Sequence, residues 1–152
     1  SRWFEIDRIP GSAAKTELAW FVDYVVREER PIDALVIDAT AFLDDAMAKL
    51  YGVELDVAGA VVRMGLPLEH RRGVFTRAAW LASGGRSGRI SPTTRGRRLF
   101  EQIGCMEIPD AFPEHPNTPL SPSPGRTTRE TFEQELHAGA CGACHRPLDS
   151  VG

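Results

Sequence analysis

No apolar run in the 152-residue chain approaches the roughly 18 to 20 residues that span a bilayer, so no membrane-crossing helix is expected. The N-terminus also lacks the charged-then-apolar layout of a signal peptide. There is no excess of positive charge: 18 Lys and Arg stand against 21 Asp and Glu, for a formal net charge of -3. A phosphate-binding domain usually shows the opposite balance, which argues against nucleic acid as a partner. Cysteine is scarce. Three residues do not make an even disulfide framework, and their spacing is more informative than their number, because Cys141 and Cys144 sit three apart near the C-terminus. No internal repeat of useful length is present. With 42% apolar and 26% charged residues, the composition is that of an ordinary globular domain.

Residues 12–29 read as an amphipathic helix capped by Ser12, with Leu18, Phe21, Val22, Val25 and Val26 as its apolar stripe. Pro31 suits a first helical turn. Residues 32–50 continue in a helical rhythm as one or two helices, with any break near residues 38–40 and Gly52 as the C-cap. Between residues 53 and 69 periodicity is lost, and Val61 to Met64 reads as a short extended connector rather than part of a sheet. Residues 75–81 predict a short helix, and residues 83–88 a flexible glycine-rich loop. Ser91 and Pro92 supply the cap and first-turn proline of a helix through Ile103. Pro109, Pro113, Pro116, Pro119, Pro122 and Pro124 then predict an extended, polyproline-like connector. Thr127 or Thr128, assisted by Glu130 or Glu133, starts a helix that runs almost directly into the cysteine pair. The expected architecture is all-α: about five helices, with a helical domain at 1–108, a Pro-rich linker at 109–126 and an attachment segment at 127–152.

The chemistry lies in Cys141-Gly142-Ala143-Cys144-His145, the C-x-x-C-H signature of c-type haem attachment. Two cysteines one helical turn apart can form thioethers with the vinyl groups on one side of a porphyrin. The next residue, His145, is delivered beneath the ring as the proximal iron ligand. Gly142 and Ala143 are small enough to leave the macrocycle edge clear. The competing readings are a structural zinc site completed by Cys105, His115 or His137, and a thioredoxin-like dithiol, which would need a βαβ setting. Haem attachment takes place outside the cytoplasm. An export signal, removed or upstream of Ser1, and a periplasmic or cell-envelope location are therefore expected.

Several stretches carry a family resemblance: Glu17, residues 33–53 (DALVIDATAFLDDAMAKLYGV), 72–76 (RGVFT), 91–96 (SPTTRG) and 141–152 (CGACHRPLDSVG). In their order and spacing the chain resembles the multidomain cytochrome-c-like proteins first noted in planctomycetes and common also in myxobacteria. The resemblance implies a longer protein at both ends and one covalent haem c held by Cys141, Cys144 and His145. It also implies a redox protein, or the remaining domains of a larger polypeptide, as partner. Serine stands at position 150 where the family usually has proline, which loosens the turn after the motif without touching the ligands.

For the distal iron ligand the candidates within the chain are Met106, Met64 and His137, and c-type cytochromes commonly supply it from downstream sequence. His137 is better placed to hydrogen-bond near the haem edge. Arg86, Arg89, Arg95, Arg97 and Arg98 could serve haem propionates or form a solvated helix face, and the second reading is preferred. Asp33, Asp44 and Asp45 are assigned to helix surface and caps, Cys105 to a buried thiol, and Trp3, Trp20 and Trp80 to core anchors. The expected function is an electron carrier rather than a catalyst. The alternatives are a non-redox structural or partner-binding domain whose motif holds zinc or nothing, and a haem oxidoreductase with an open sixth position.

Overall fold

The computed structural model describes residues 11–67, 69, 71–84, 91–109 and 125–151. The described residues divide into two compact units, one within residues 11–83 and the other within residues 84–151. Among the described residues there are seven helices and a two-stranded antiparallel sheet. The protein is therefore mostly helical but not all-α as expected. No described helix is long and apolar enough to cross a membrane.

The first unit is built around α1 (Gly11–Arg27), which buries Ala14, Glu17, Phe21, Tyr24 and Val25. Phe21 and Val25 are buried as the expected stripe has them, but Val22 and Val26 are exposed and Leu18 is only half-buried. The buried face is turned because it takes in a charge. Glu17 is almost fully buried and pairs with Arg77, whose guanidinium also lies over the Phe21 ring, 3.7 Å from its centroid. Ser12 is not the cap either, because the helix already includes Gly11.

The expected helical stretch after Pro31 forms two helices with the break beginning at residues 38–40 as read, but the break holds a strand. Only Ala34–Ile37 (α2) is helical before Asp38 turns extended (ψ 133°). The Asp38 carboxylate then accepts the Thr40 backbone N–H at 2.7 Å and opens strand β1 (Thr40–Leu43). Helix α3 (Asp45–Tyr51) follows, with Asp44 accepting from the Met47 backbone N–H at 2.8 Å and Gly52 ending it at φ 72°, as its sequence predicts. The segment read as a connector is strand β2 (Val62–Gly65), paired antiparallel to β1 with Thr40 opposite Gly65 and Leu43 opposite Val62. Four-residue strands leave too short an alternation to be told from a helical turn; long-range pairing decides them.

A short α4 (Ala78–Ala82) closes this unit, starting after Arg77. Tyr51 donates to Glu17 at 3.5 Å and accepts the Ala78 backbone N–H at 3.0 Å, while Arg77 also donates to the Thr40 carbonyl. One buried polar cluster thus joins α1, β1, α3 and α4. Burial pushes the Glu17 carboxyl up and the Arg77 guanidinium down, each partly offset by the other's charge. Of the expected core tryptophans, Trp20 is half-exposed against Phe42 and Trp80 is partly buried edge-on to Phe75, while Trp3 lies outside the described residues.

The second unit contains α5 (Pro92–Gln102), α6 (Thr128–Leu136) and α7 (Cys141–Val151). Ser91 caps α5 by accepting the Thr94 backbone N–H at 3.2 Å, with Pro92 in the first turn as expected. After α5 the backbone turns through Cys105 (φ 51°), and the Met106 N–H reaches back to the Phe100 carbonyl at 2.9 Å. Thr127 and Glu130 form a reciprocal capping box on α6, as the sequence predicts. Helices α5 and α7 pack so closely that a Cβ on Gly96 would collide with the Leu148 backbone carbonyl. Of the expected polyproline-like connector, residues 110–124 lie outside the described residues, as do residues 85–88 of the expected loop.

Candidate functional site

Cys141 opens α7, and Cys144 and His145 follow three and four residues later, which brings all three to one face of the helix. Both thiols are free, Cys141 half-buried and Cys144 exposed. The turn that precedes them is tight. Gly139 adopts φ 58°, and a Cβ at Gly142 would run into the His137 carbonyl. That same carbonyl accepts both Nε and Nη2 of Arg146, at 3.0 and 2.8 Å. The residue after the first cysteine must therefore be small for a packing reason. Pro147 lies inside α7 and has no N–H to offer the carbonyl one turn earlier.

Three side chains, from α5, the end of α6 and α7, meet behind His145. Its Nδ1 lies 3.3 Å from Oδ2 of Asp149, one turn further along α7, and 3.4 Å from Oγ1 of Thr93 on α5. Thr93 donates to Oδ1 of Asp149 at 2.6 Å. His137, at the end of α6, brings its Nε2 to 3.2 Å from Oδ2 of the same carboxylate. Asp149 is buried, with 4% of its side chain exposed, while the rings of His145 and His137 retain 26% and 20%. Among the described residues the other ring nitrogen of His145, Nε2, has no hydrogen-bond partner.

The donor set suits a c-type haem. Two unpaired thiols stand one helical turn apart on one face of a helix, and a neighbouring imidazole has one nitrogen anchored and the other uncommitted. Cys141 and Cys144 would hold the porphyrin through thioethers, and His145 would ligate iron. A structural zinc site asks for four protein ligands. Among the described residues no group of three or more His, Cys, Asp or Glu side chains is arranged to hold a metal ion.

Of the other residues singled out by sequence, Met106 is exposed just beyond α5 in the same unit, while Met64 is half-buried on β2 in the other. His137 forms its hydrogen bond to Asp149. Cys105 is exposed, not buried as expected, because it occupies the turn outside the end of α5. Within the basic run, Arg97 and Arg98 form the solvated face with ordinary surface pairs that was expected, and Arg95 does not. Arg95 is buried, its guanidinium pulled down by desolvation and by the charge of Arg129, and Arg97 pairs with Glu101 at 2.6 Å. Arg98 is exposed, and Arg86 and Arg89 lie outside the described residues. Asp149 and Thr93 are the residues that sequence reading did not single out. Asp149 has a local signal, a carboxylate four residues after a histidine on one helix. Thr93 has none, since it stands 52 residues before His145.

The family model PSCyt3, described as "Protein of unknown function (DUF1588)", matches residues 71–152, more than half of the chain. No curated protein and no solved structure matches. The matched region takes in all of α5, α6 and α7, and with them the two thiols, His145 and the groups behind it. By that match the chain belongs to the PSCyt3 family, a cytochrome-associated domain family of unknown function.

Proposed function

We propose that this chain is a c-type cytochrome module that carries one covalent haem through Cys141, Cys144 and His145 and serves electron transfer in the extracytoplasmic cell envelope. The observation that carries the reading is the coincidence, on one face of α7, of two free thiols and an imidazole whose Nε2 is uncommitted. When bound, the haem supplies a one-electron iron couple. The residues of the chain tether, orient and shield. Cys141 and Cys144 fix the position of the macrocycle, so His145 need not hold it by affinity alone. The half-buried position of His145 keeps bulk water from one side of its ring. Met106, exposed in the same unit, is the candidate distal ligand within the chain. The partner is a redox protein or a further domain of a larger polypeptide.

The test is the absorption spectrum of the protein made in a host that matures c-type cytochromes. A c-type pyridine haemochrome that survives acid-acetone extraction, and that is lost in the Cys141→Ala/Cys144→Ala variant, is expected. Stoichiometric zinc by elemental analysis with no Soret band would overturn the reading.

A further inference from the structure

The geometry assigns Asp149 as the positioning residue of His145: its carboxylate, held by Thr93 and His137, fixes the imidazole as the Nδ1–H tautomer and presents Nε2 as the metal-binding nitrogen. The last clause rests on the haem reading above; the tautomer does not.

An ionised carboxylate can only accept hydrogen bonds. The Thr93 hydroxyl has a single proton, and its shortest contact, 2.6 Å to Oδ1 of Asp149, takes that proton. Towards His145, 3.4 Å away, the hydroxyl oxygen is then an acceptor too. Both groups facing Nδ1 of His145 are acceptors, so Nδ1 must be the protonated nitrogen of the neutral ring. The lone pair is left on Nε2. The same rule makes Nε2 of His137 the donor towards Oδ2 of Asp149 at 3.2 Å, so this nitrogen is not free to bind a metal. The carboxylate thus accepts three hydrogen bonds, from Thr93 on Oδ1 and from two imidazoles on Oδ2. Burial and this set of donors leave Asp149 little freedom to rotate, and through it His145 is held from both α5 and α6.

A carboxylate on the far nitrogen of a ligating histidine does more than aim it, because it makes the ring a more basic ligand. An electron-rich proximal imidazole favours the oxidised metal. Asp149→Asn keeps the shape and an accepting oxygen but removes the charge, so it weakens this effect without emptying the site.

Two measurements test the assignment. In the chain made without haem, with amide exchange showing α5 and α7 protected, two-bond proton–nitrogen NMR correlations at a pH where the ring is neutral are expected to show His145 as the Nδ1–H tautomer. The Nε2–H form in that folded chain would overturn the proposal whatever the chain binds; if α5 and α7 are unprotected without haem, the same correlations read in the haem-loaded chain decide, and an Nδ1 without its proton there overturns the proposal. In the haem-loaded chain, Asp149→Asn is expected to move the reduction potential upward by about 59 mV or more, a tenfold change in a one-electron equilibrium. An unchanged potential with haem still attached would overturn the role of the charge. Absence of covalent haem from the wild-type protein would instead overturn the function proposed above, and the tautomer would still decide the role of Asp149.

Discussion

Gly96→Ala tests whether α5 and α7 are packed as tightly as the structure shows. In an open helix interior this change gains up to about 1 kcal/mol from backbone propensity. Here the new methyl group would strike the carbonyl of Leu148, with Leu148 Cα also close. These are backbone atoms, so no rotamer change relieves the collision and α7 as a whole must retreat by on the order of 1 Å to reach ordinary contact distance. Overpacking of this kind costs about 1 to 3 kcal/mol. A backbone collision belongs at the upper end, so the net expected loss after the propensity gain is about 2 kcal/mol. In urea, with a slope of about 2 kcal/mol per molar, that lowers the midpoint of this unit by about 1 M. Far-UV circular dichroism follows the transition. Gly11→Ala is the control, because a Cβ there meets nothing within 4 Å. The retreat of α7 would also pull Asp149 from Thr93, so the NMR signal of the His145 ring should shift in the same variant. A Gly96→Ala protein as stable as the wild type, with that signal unmoved, would refute the close packing.

Arg77→Met should destabilise the first unit by about 3 to 5 kcal/mol, because it leaves Glu17 buried without its partner. The double change Glu17→Leu/Arg77→Met should recover most of that loss in thermal unfolding, and strict additivity of the two single changes would count against the pair. Hydrogen bonds from Thr127 hold the Glu130 carboxyl below its ordinary value of 4.5, so the folded chain binds fewer protons than the unfolded one there. The resulting stability is complete above pH 4.5 and is lost as pH falls through the lower folded value; Glu130→Gln should flatten that acid limb in hydrogen exchange of α6, and an unaltered limb would count against the capping box. Cys105→Asn should be neutral or gain up to about 1 kcal/mol, because asparagine tolerates the left-handed backbone. Covalent haem should be retained in that variant, and its loss would give Cys105 a role the structure does not show.

What the sequence made legible is what neighbouring residues decide among themselves. Ser91 before Pro92, Thr127 with Glu130, and Gly52 after Tyr51 are each complete within four residues, and each behaves as read. The strands are not of this kind. Ala41 faces Met64 and Leu43 faces Val62 across the intervening α3, so nothing within either short segment says that it will pair. The α1 stripe was partly misplaced for a related reason: Glu17 goes inside because Arg77, 60 residues later, meets it there. The site divides along the same line. The thiols and His145 fall within five consecutive residues and were legible at once, whereas the carboxylate and hydroxyl behind the imidazole emerge only when α7 lies against α5.

The contact between Thr93 and Asp149 therefore sets the smallest piece of this protein worth transplanting. A peptide of residues 127–152 would carry Cys141, Cys144, His145 and Asp149, yet Oδ1 of that carboxylate would lose its anchor, because the hydroxyl that donates to it belongs to α5. Grafting the pentapeptide onto another helix would move two thiols and an imidazole without the groups that face Nδ1. The smallest unit that keeps the imidazole committed runs from α5 through α7 and includes the end of α6, because His137 holds the same carboxylate as Thr93.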